Sequence, residues 1–321
     1  MCLLTSKHAV LHRFTALSVI YLACLCLGSA TEPVMNALAG RETLLICDLP
    51  GVQPNATVWF RVAKDHRTLA SGTVRADADG RVTLPVALPE MRPGVALALY
   101  VTLRSDSEQG RILRNGGTIW ALSEQPLPTG RNPAAPRATW LYDPVGQTAA
   151  AFRSISLPFE TVTRLEALAA MTNVTVIVGE GLSMETERGL WETLMITVAR
   201  GNRVLLLAPI DGRMRPPADL LLLTAGPVDR LLCAPPSGGP VYKLNLKAWP
   251  PTGAVRTRFR LAGERDQAIF DVGSHAGCEA VRWIDAASGG SFTACGLGVI
   301  ACWETAPAAR WLLVELLNEE K

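Results

Sequence analysis

The sequence predicts two folded parts of different class: an N-terminal all-β sandwich, then an α/β half with a parallel sheet and a β-rich tail. Three observations predict it. From Arg41 to Ser123, short alternating apolar runs are separated by polar turns, as in antiparallel strands. The stretch "EQPLPTGRNPAAPRA" then gathers prolines with glycine and small residues, which is the composition of an extended linker. Beyond it, "TNVTVIVGEGLSMETERGLWETLMITVARGNRVLLLAPIDG" (172–212) reads strand, turn, helix, strand. Its two strands are apolar throughout, so they belong to a parallel βαβ unit covered on both faces. At 321 residues the chain has room for two domains of ordinary size.

Residues 1–30 belong to neither part. Lys7, His8, His12 and Arg13 precede the apolar run Phe14–Gly28, and Gly28-Ser29-Ala30 supplies small residues for cleavage. That is the grammar of a secretory signal peptide. A run of ~15 apolar residues falls short of the ~20 needed to span a bilayer, and no other segment is longer and as apolar. A secreted or periplasmic protein beginning near Thr31 is expected, without a transmembrane anchor. The alternative is a lipoprotein modified at Cys24, although Tyr21 stands where a lipobox has an aliphatic residue.

Residues 31–123 form the predicted sandwich. Its strands read as Thr43–Cys47, Thr57–Val62, Thr68–Val74, Arg81–Val86, Val95–Leu103 and Thr118–Leu122. Trp59, in "ATVWFRV", is expected in the core. "ADADGR" (76–81) reads as a hairpin turn, since it lacks the further oxygen ligands of a calcium loop. The stretch "RTLASGTVRADADGRVTLPVALPEMRPGVALALYVTL" resembles the immunoglobulin-like modules appended to exported bacterial enzymes, which implies a sandwich fold. Cys47 has no second cysteine in this part, so the usual inter-sheet disulfide is not expected.

Residues 124–137 are the linker, and 138–321 the α/β part. Thr139–Tyr142 is a strand closed by Asp143-Pro144, Gln147–Ser154 a helix and Phe159–Val162 a strand. Thr163–Met171 is a helix capped by Thr163, with Glu166 three residues on. Val174–Val178, Met184–Val198 and Val204–Leu207 follow as strand, helix and strand, the helix stopping at Gly201-Asn202. The tail reads as strands Leu244–Ala248, Thr257–Leu261, Ala268–Val272, Ala280–Ile284 and Phe292–Ile300, and a closing helix Ala308–Leu317.

"WLYDPVGQTAAAFRSISLPFETVTRLEAL", the "GEG" at 179–181, "ARGNRVLLL" and "GGSFTACGLGVI…ETAPAARWLLVELL" resemble the class I glutamine-amidotransferase-like, flavodoxin-related domains of exported bacterial proteins. Similar domains accompany glycoside hydrolases, including the trimerisation domain of some β-galactosidases. Active members carry a cysteine on a strained strand-to-helix turn, activated by a downstream histidine. At the matching place this chain has Ala208-Pro209-Ile210-Asp211-Gly212. "TACGLGV", around Cys295, lies in an apolar run with no histidine after it. The resemblance therefore implies a degenerate domain, a pseudoenzyme.

The net charge of +2, with scattered basic residues, gives no reason to expect a nucleic-acid partner. Cys47, Cys233, Cys278, Cys295 and Cys302 remain after the leader, with pairing left open. Of the histidines only His66, in a polar turn, and His275 remain. His275 stands with Asp271 and Cys278 in "FDVGSHAGCEAVRW", which reads either as a small constellation or as a glycine-containing turn. Asp143, Glu180 and Asp211 form the stronger group. All three end parallel strands and so belong on one rim, where open α/β sheets collect ligands. Such carboxylates hold sugar hydroxyls or a cation, or they serve as turn formers and caps. Asp143, Glu180, Asp211 and His275 are the candidate binding residues. No catalytic residue, metal or cofactor is assigned. The expected role is a non-catalytic accessory or binding protein for carbohydrate or an exported protein partner. The alternative is a hydrolase on a sugar or amide substrate using the acidic rim.

Overall fold

The computed structural model describes residues 34–49, 52–107, 110–128, 137–214, 217, 220–222, 230–233, 242–245, 268–270 and 280–318. The expected leader, residues 129–136 of the expected linker, the strand expected at Thr257–Leu261 and His275 lie outside these residues. The described architecture is mostly β, with mixed sheets, one of them rich in parallel pairs, and few helices.

The first part holds β1 (Val34–Leu38), β2 (Glu42–Asp48), β3 (Thr57–Lys64), β4 (Arg67–Arg75), β5 (Arg81–Ala87), β6 (Ala96–Ser107) and β7 (Gly110–Leu122). They make a five-stranded sheet in the order β1-β7-β6-β3-β4 and a two-stranded sheet β2-β5. β1 runs parallel to β7, and the other pairs are antiparallel. The sequence reading began at Arg41 and missed β1. Alternation puts Leu45, Cys47, Val58, Phe60, Val62, Val82, Leu84, Leu99, Val101 and Ile119 into one core. Period two also corrects Trp59. Phe60 takes the core position, and Trp59 lies on the opposite face, 37 % exposed. "ADADGR" is not a hairpin either, because β4 and β5 belong to different sheets. Asp77 shapes that crossing by accepting hydrogen bonds from the Asp79 and Arg81 N–H groups.

The second part opens with β8 (Ala138–Tyr142), helix α1 (Gln147–Ser154), β9 (Glu160–Thr161), α2 (Leu165–Ala170), β10 (Val174–Val178), α3 (Leu190–Ala199) and β11 (Arg203–Leu207). There follow β12 (Leu220–Leu222), β13 (Arg230–Cys233), β14 (Tyr242–Asn245), β15 (Ala268–Phe270), β16 (Ala280–Asp285), β17 (Ser291–Cys295) and α4 (Pro307–Leu317). β9, β8, β10, β11 and β17 are parallel neighbours, and β16 extends the sheet antiparallel, with β12 and β15 on it. Numbered along the chain, the parallel strands stand in the order 2-1-3-4-5, with the reversal between β8 and β10.

β8, β10, β11 and β17 each feed two cores. Leu141, Ile177, Leu205 and Cys295 face α1 and α4, whereas Val176, Val178, Leu206 and Phe292 face α2 and α3. The first core also takes in Ala96, Trp120, Leu122 and Leu127 from the first part.

Two helices start later than expected. No side chain caps α2, and Arg164, not Thr163, precedes it. α3 begins at Leu190 because Gly189 stands in the left-handed region at φ 81, which a helix cannot cross. Residues 184–188 are turns instead. β17 ends at Cys295, five residues before the expected end. Ile300 and Ala301 lie in a turn beyond the strand, where their N–H groups donate to a carboxylate.

Candidate functional site

The carboxyl ends of β8, β10 and β11 carry Asp143, Glu180 and Asp211, and short connections keep all three on one edge of the sheet. Asp143 follows β8 directly. Its Oδ1 accepts from the Gly146 N–H at 3.0 Å and its Oδ2 from the Ala149 N–H at 2.8 Å, closing the first turn of α1. The carboxylate sits against Gly179, where a side chain would collide with it. Thr148, buried in the same turn, accepts the Glu180 N–H through its hydroxyl at 2.9 Å.

Glu180 is 2 % exposed. Its Oε2 accepts the Ile300 N–H at 2.6 Å and its Oε1 the Ala301 N–H at 3.0 Å. Charge-assisted bonds of this kind are roughly twice as strong as neutral ones, and they answer the cost of enclosing the charge. Asp211 makes a one-residue parallel bridge with Ser183. Its two oxygens receive the Ser183 hydroxyl at 2.9 and 2.7 Å, and Oδ1 also accepts the Glu185 N–H at 3.1 Å. The bridge holds residues 183–185 against β11's exit.

Tyr142, the last residue of β8, donates its hydroxyl to Glu187 Oε2 at 2.7 Å. Burial, then the bond to Glu187 and its charge, pushes the phenol up to about 12. Neither residue was singled out from sequence, since Tyr142 reads as strand and Glu187 as helix. Thr148 and Ser183 were missed as well; the only signal was a hydroxyl residue shortly after each acidic or glycine turn.

Beside the rim, α1 and residues 300–304 border an open, shallow cleft of about 360 Å³ lined by Gln147, Ala150, Ser154, Trp303 and Glu304. Trp303 donates its indole N–H to Ser154 Oγ at 2.9 Å. Cys295, at the end of β17, is buried, as are Cys47 and Cys302. His275 is outside the described residues, as are Asp271 and Cys278. Among the described residues, no three His, Cys, Asp or Glu side chains are placed to share a metal ion. No helix among them is long and apolar enough to cross a membrane.

No protein-family model matches the chain, and no curated protein matches it. Solved structures give distant likenesses. A 2,6-sialyltransferase of Photobacterium sp. JT-ISH-224, in complex with CMP and lactose, matches at 8 % identity and a TM-score of 0.20, over 56 % of this chain and 42 % of its own. A pullulanase from Paenibacillus barengoltzii matches at 12 % identity and a TM-score of 0.21, over 59 % and 41 %. The Group B Streptococcus pullulanase SAP matches at 9 % identity and 0.21, over 56 % and 34 %. The matched part is less than half of each of these proteins, and at such scores the likenesses decide neither fold nor activity.

Proposed function

We propose that the chain is an exported, non-catalytic accessory or binding protein whose partner is a carbohydrate or another exported protein. In this reading the first part is an immunoglobulin-like module and the second a degenerate, flavodoxin-related amidotransferase-like domain. The parallel β1–β7 pair with two stacked sheets supports the first assignment, and the 2-1-3-4-5 strand order supports the second.

One observation carries the non-catalytic reading: each strand-end carboxylate is committed to the protein's own N–H groups. A general acid or base must exchange a proton with a substrate, and a nucleophile must reach one. Glu180, enclosed by the Ile300–Ala301 turn, serves as an anchor, and Asp143 and Asp211 act as turn formers.

The test pairs stability with turnover. Glu180→Gln is expected to cost about 1.5–3 kcal/mol, the range for a hydrogen bond to a charged group. Asp211→Asn is expected to cost about 1 kcal/mol, the size of a lost cap bond. The unsubstituted protein should release neither reducing sugar from polysaccharides nor ammonia from glutamine. Turnover that Asp211→Asn abolishes without lowering the unfolding midpoint would instead establish the hydrolase reading.

A further inference from the structure

The two-stranded sheet of β2 and β5 has two outer edges, and they differ. The Leu49 N–H donates to the Gly80 carbonyl and the Leu88 N–H to the Arg41 carbonyl, so the odd-numbered residues of β2 are its hydrogen-bonded positions toward β5. The N–H and C=O groups of Glu42, Leu44, Ile46 and Asp48 therefore point away from β5, at the outer edge of β2. On β5 the outward positions are Arg81, Thr83, Pro85 and Ala87. Pro85 has no N–H to offer there, so that edge is guarded. β2 carries no proline, lysine or bulge, and among the described residues no strand pairs with its outer edge. Its outward positions hold Leu44 and Ile46, 67 % and 64 % exposed, more than any other large apolar side chain among the described residues.

A second open edge belongs to β4, at one end of the five-stranded sheet. The Ala76 N–H donates to the Ala56 carbonyl, and by the same parity Ser71, Thr73 and Arg75 turn their N–H and C=O groups away from β3. β1, at the other end of that sheet, has β14 and α4 against it. The two open edges carry opposite charge. Glu42 begins β2 and Arg75 ends β4; both are exposed, and neither is held in an ion pair among the described residues. Asp48 is already held by Arg81 at 3.0 Å and takes no part in the selection.

We propose that copies of this chain join head to tail, β2 of one pairing antiparallel with β4 of the next. One register meets every condition: Glu42 opposite Arg75 of the next copy, Leu44 opposite its Thr73, and Ile46 opposite its Ser71. Outward N–H and C=O groups then meet their like on the other strand, and the three side-chain pairs share the outer face of a continuous sheet. Trp59 pairs with Thr73 from the far side. Leu44 and the partly exposed indole thus come to stand with only Thr73 between them, and two apolar patches become one. Pairings of like edges fit less well. Full overlap of β2 with a second β2 sets Glu42 against Asp48, and of β4 with a second β4 sets Arg75 against Arg67, like charges directly opposite. A head-to-tail contact leaves one unused edge at each end, so association continues as concentration rises. Naming a second copy as the partner goes beyond the function proposed above and does not rest on it.

Sedimentation of the full chain over a range of concentrations tests this. The average mass is expected to rise with concentration. Ile46→Pro copies the Pro85 device by removing one outward N–H from β2, and Thr73→Pro does the same on β4, neither touching a bond inside its own sheet. Each variant alone is expected to stay monomeric. An equimolar mixture is expected to form a one-to-one dimer and nothing larger, through the intact β4 of the first and the intact β2 of the second. Glu42→Arg and Arg75→Glu are each expected to weaken association about tenfold, ~1.4 kcal/mol. The two together in one chain are expected to restore it; should a proline variant unfold, these charge reversals carry the test. Dimers of Thr73→Pro alone would overturn the proposal in favour of paired β2 edges. Unchanged association in Ile46→Pro, or a double reversal without rescue, would overturn it as well. So would a monomer at every concentration, which would leave the β2 edge to a strand of another protein and the non-catalytic reading untouched.

Discussion

Asp285 shows how much one carboxylate does in this chain. It closes β16 and receives the Ser288 hydroxyl together with the Ala287 and Ser288 N–H groups. The Ser288 hydroxyl first, then the Ala287 N–H, hold its pKa below the usual carboxylate range. A depressed folded-state pKa means that its contribution to stability is present above the unfolded value, about 3.9. It is lost as pH falls through the folded value. Asp285→Asn should therefore destabilise the protein at neutral pH, and the difference from the unsubstituted chain should shrink as pH drops below about 4. Urea midpoints across pH 2–7, an interval set by those pKa values, check it. A difference independent of pH would place the effect in packing instead of charge. Residue-scale facts like this were only half legible. The acidic strand ends at Asp143, Glu180 and Asp211 could be read from sequence, but their N–H partners come from residues as distant as Ile300 and Ala301. No local pattern announces that pairing.

At the scale of elements, strands with strong periodicity were readable. β3, β5, β8, β10 and β11 lie close to where their apolar patterns put them. The failures have physical causes. The run after Cys295 is apolar enough to continue a strand, yet residues 299–301 turn and the Ile300 and Ala301 N–H groups bind Glu180. Met184–Arg188 has helical spacing, but the Ser183–Asp211 bridge and Gly189 delay the helix. Trp59 was misplaced because "TVWFRV" puts two rings side by side, and alternation admits only one to the core. The β16–β17 hairpin offers a test of packing. A side chain at Gly290 would run into the Val198 carbonyl at the end of α3, whereas one at Gly289 meets nothing nearby but sits at φ 70. Gly289→Ala should cost about 1–2 kcal/mol from backbone strain alone. Gly290→Ala should cost more, about 2–3 kcal/mol, because backbone must shift against backbone. Chemical denaturation ranks the two, and the reverse order would show that the hairpin yields easily.

Across the whole molecule, the described residues from Val34 onward belong to one compact unit. α4 reaches back to Ser123 and Glu124, where the first part ends. Trp311 donates its indole N–H to the Ser123 carbonyl at 2.9 Å, and buried Arg310 donates to the Glu124 and Trp303 carbonyls at 2.8 and 3.1 Å. Arg310 also pairs with Glu304 at 2.9 Å. The proline-rich composition hid this, since composition reports extension and not what packs on it. Calorimetry should show a single unfolding transition. Arg310→Met should lower its midpoint without splitting it, the apolar core still being shared; two separated transitions in the unsubstituted chain would contradict this account.

The turn at 300–304 has a mechanical consequence. Its first residues hang from Glu180 at the end of β10, and its last is gripped by Arg310 and by Arg41, which also pairs with Glu124 beside β7. Five residues thus form a tie rod from the middle of one sheet to the margin of another. A pull applied across the chain loads the two arginine grips on Glu304 in parallel, so the weaker can fail while the buried Arg310 still holds the rod. The weaker grip is the exposed one, where Arg41 reaches Glu304 at 3.4 Å, and under load it is the first to let go.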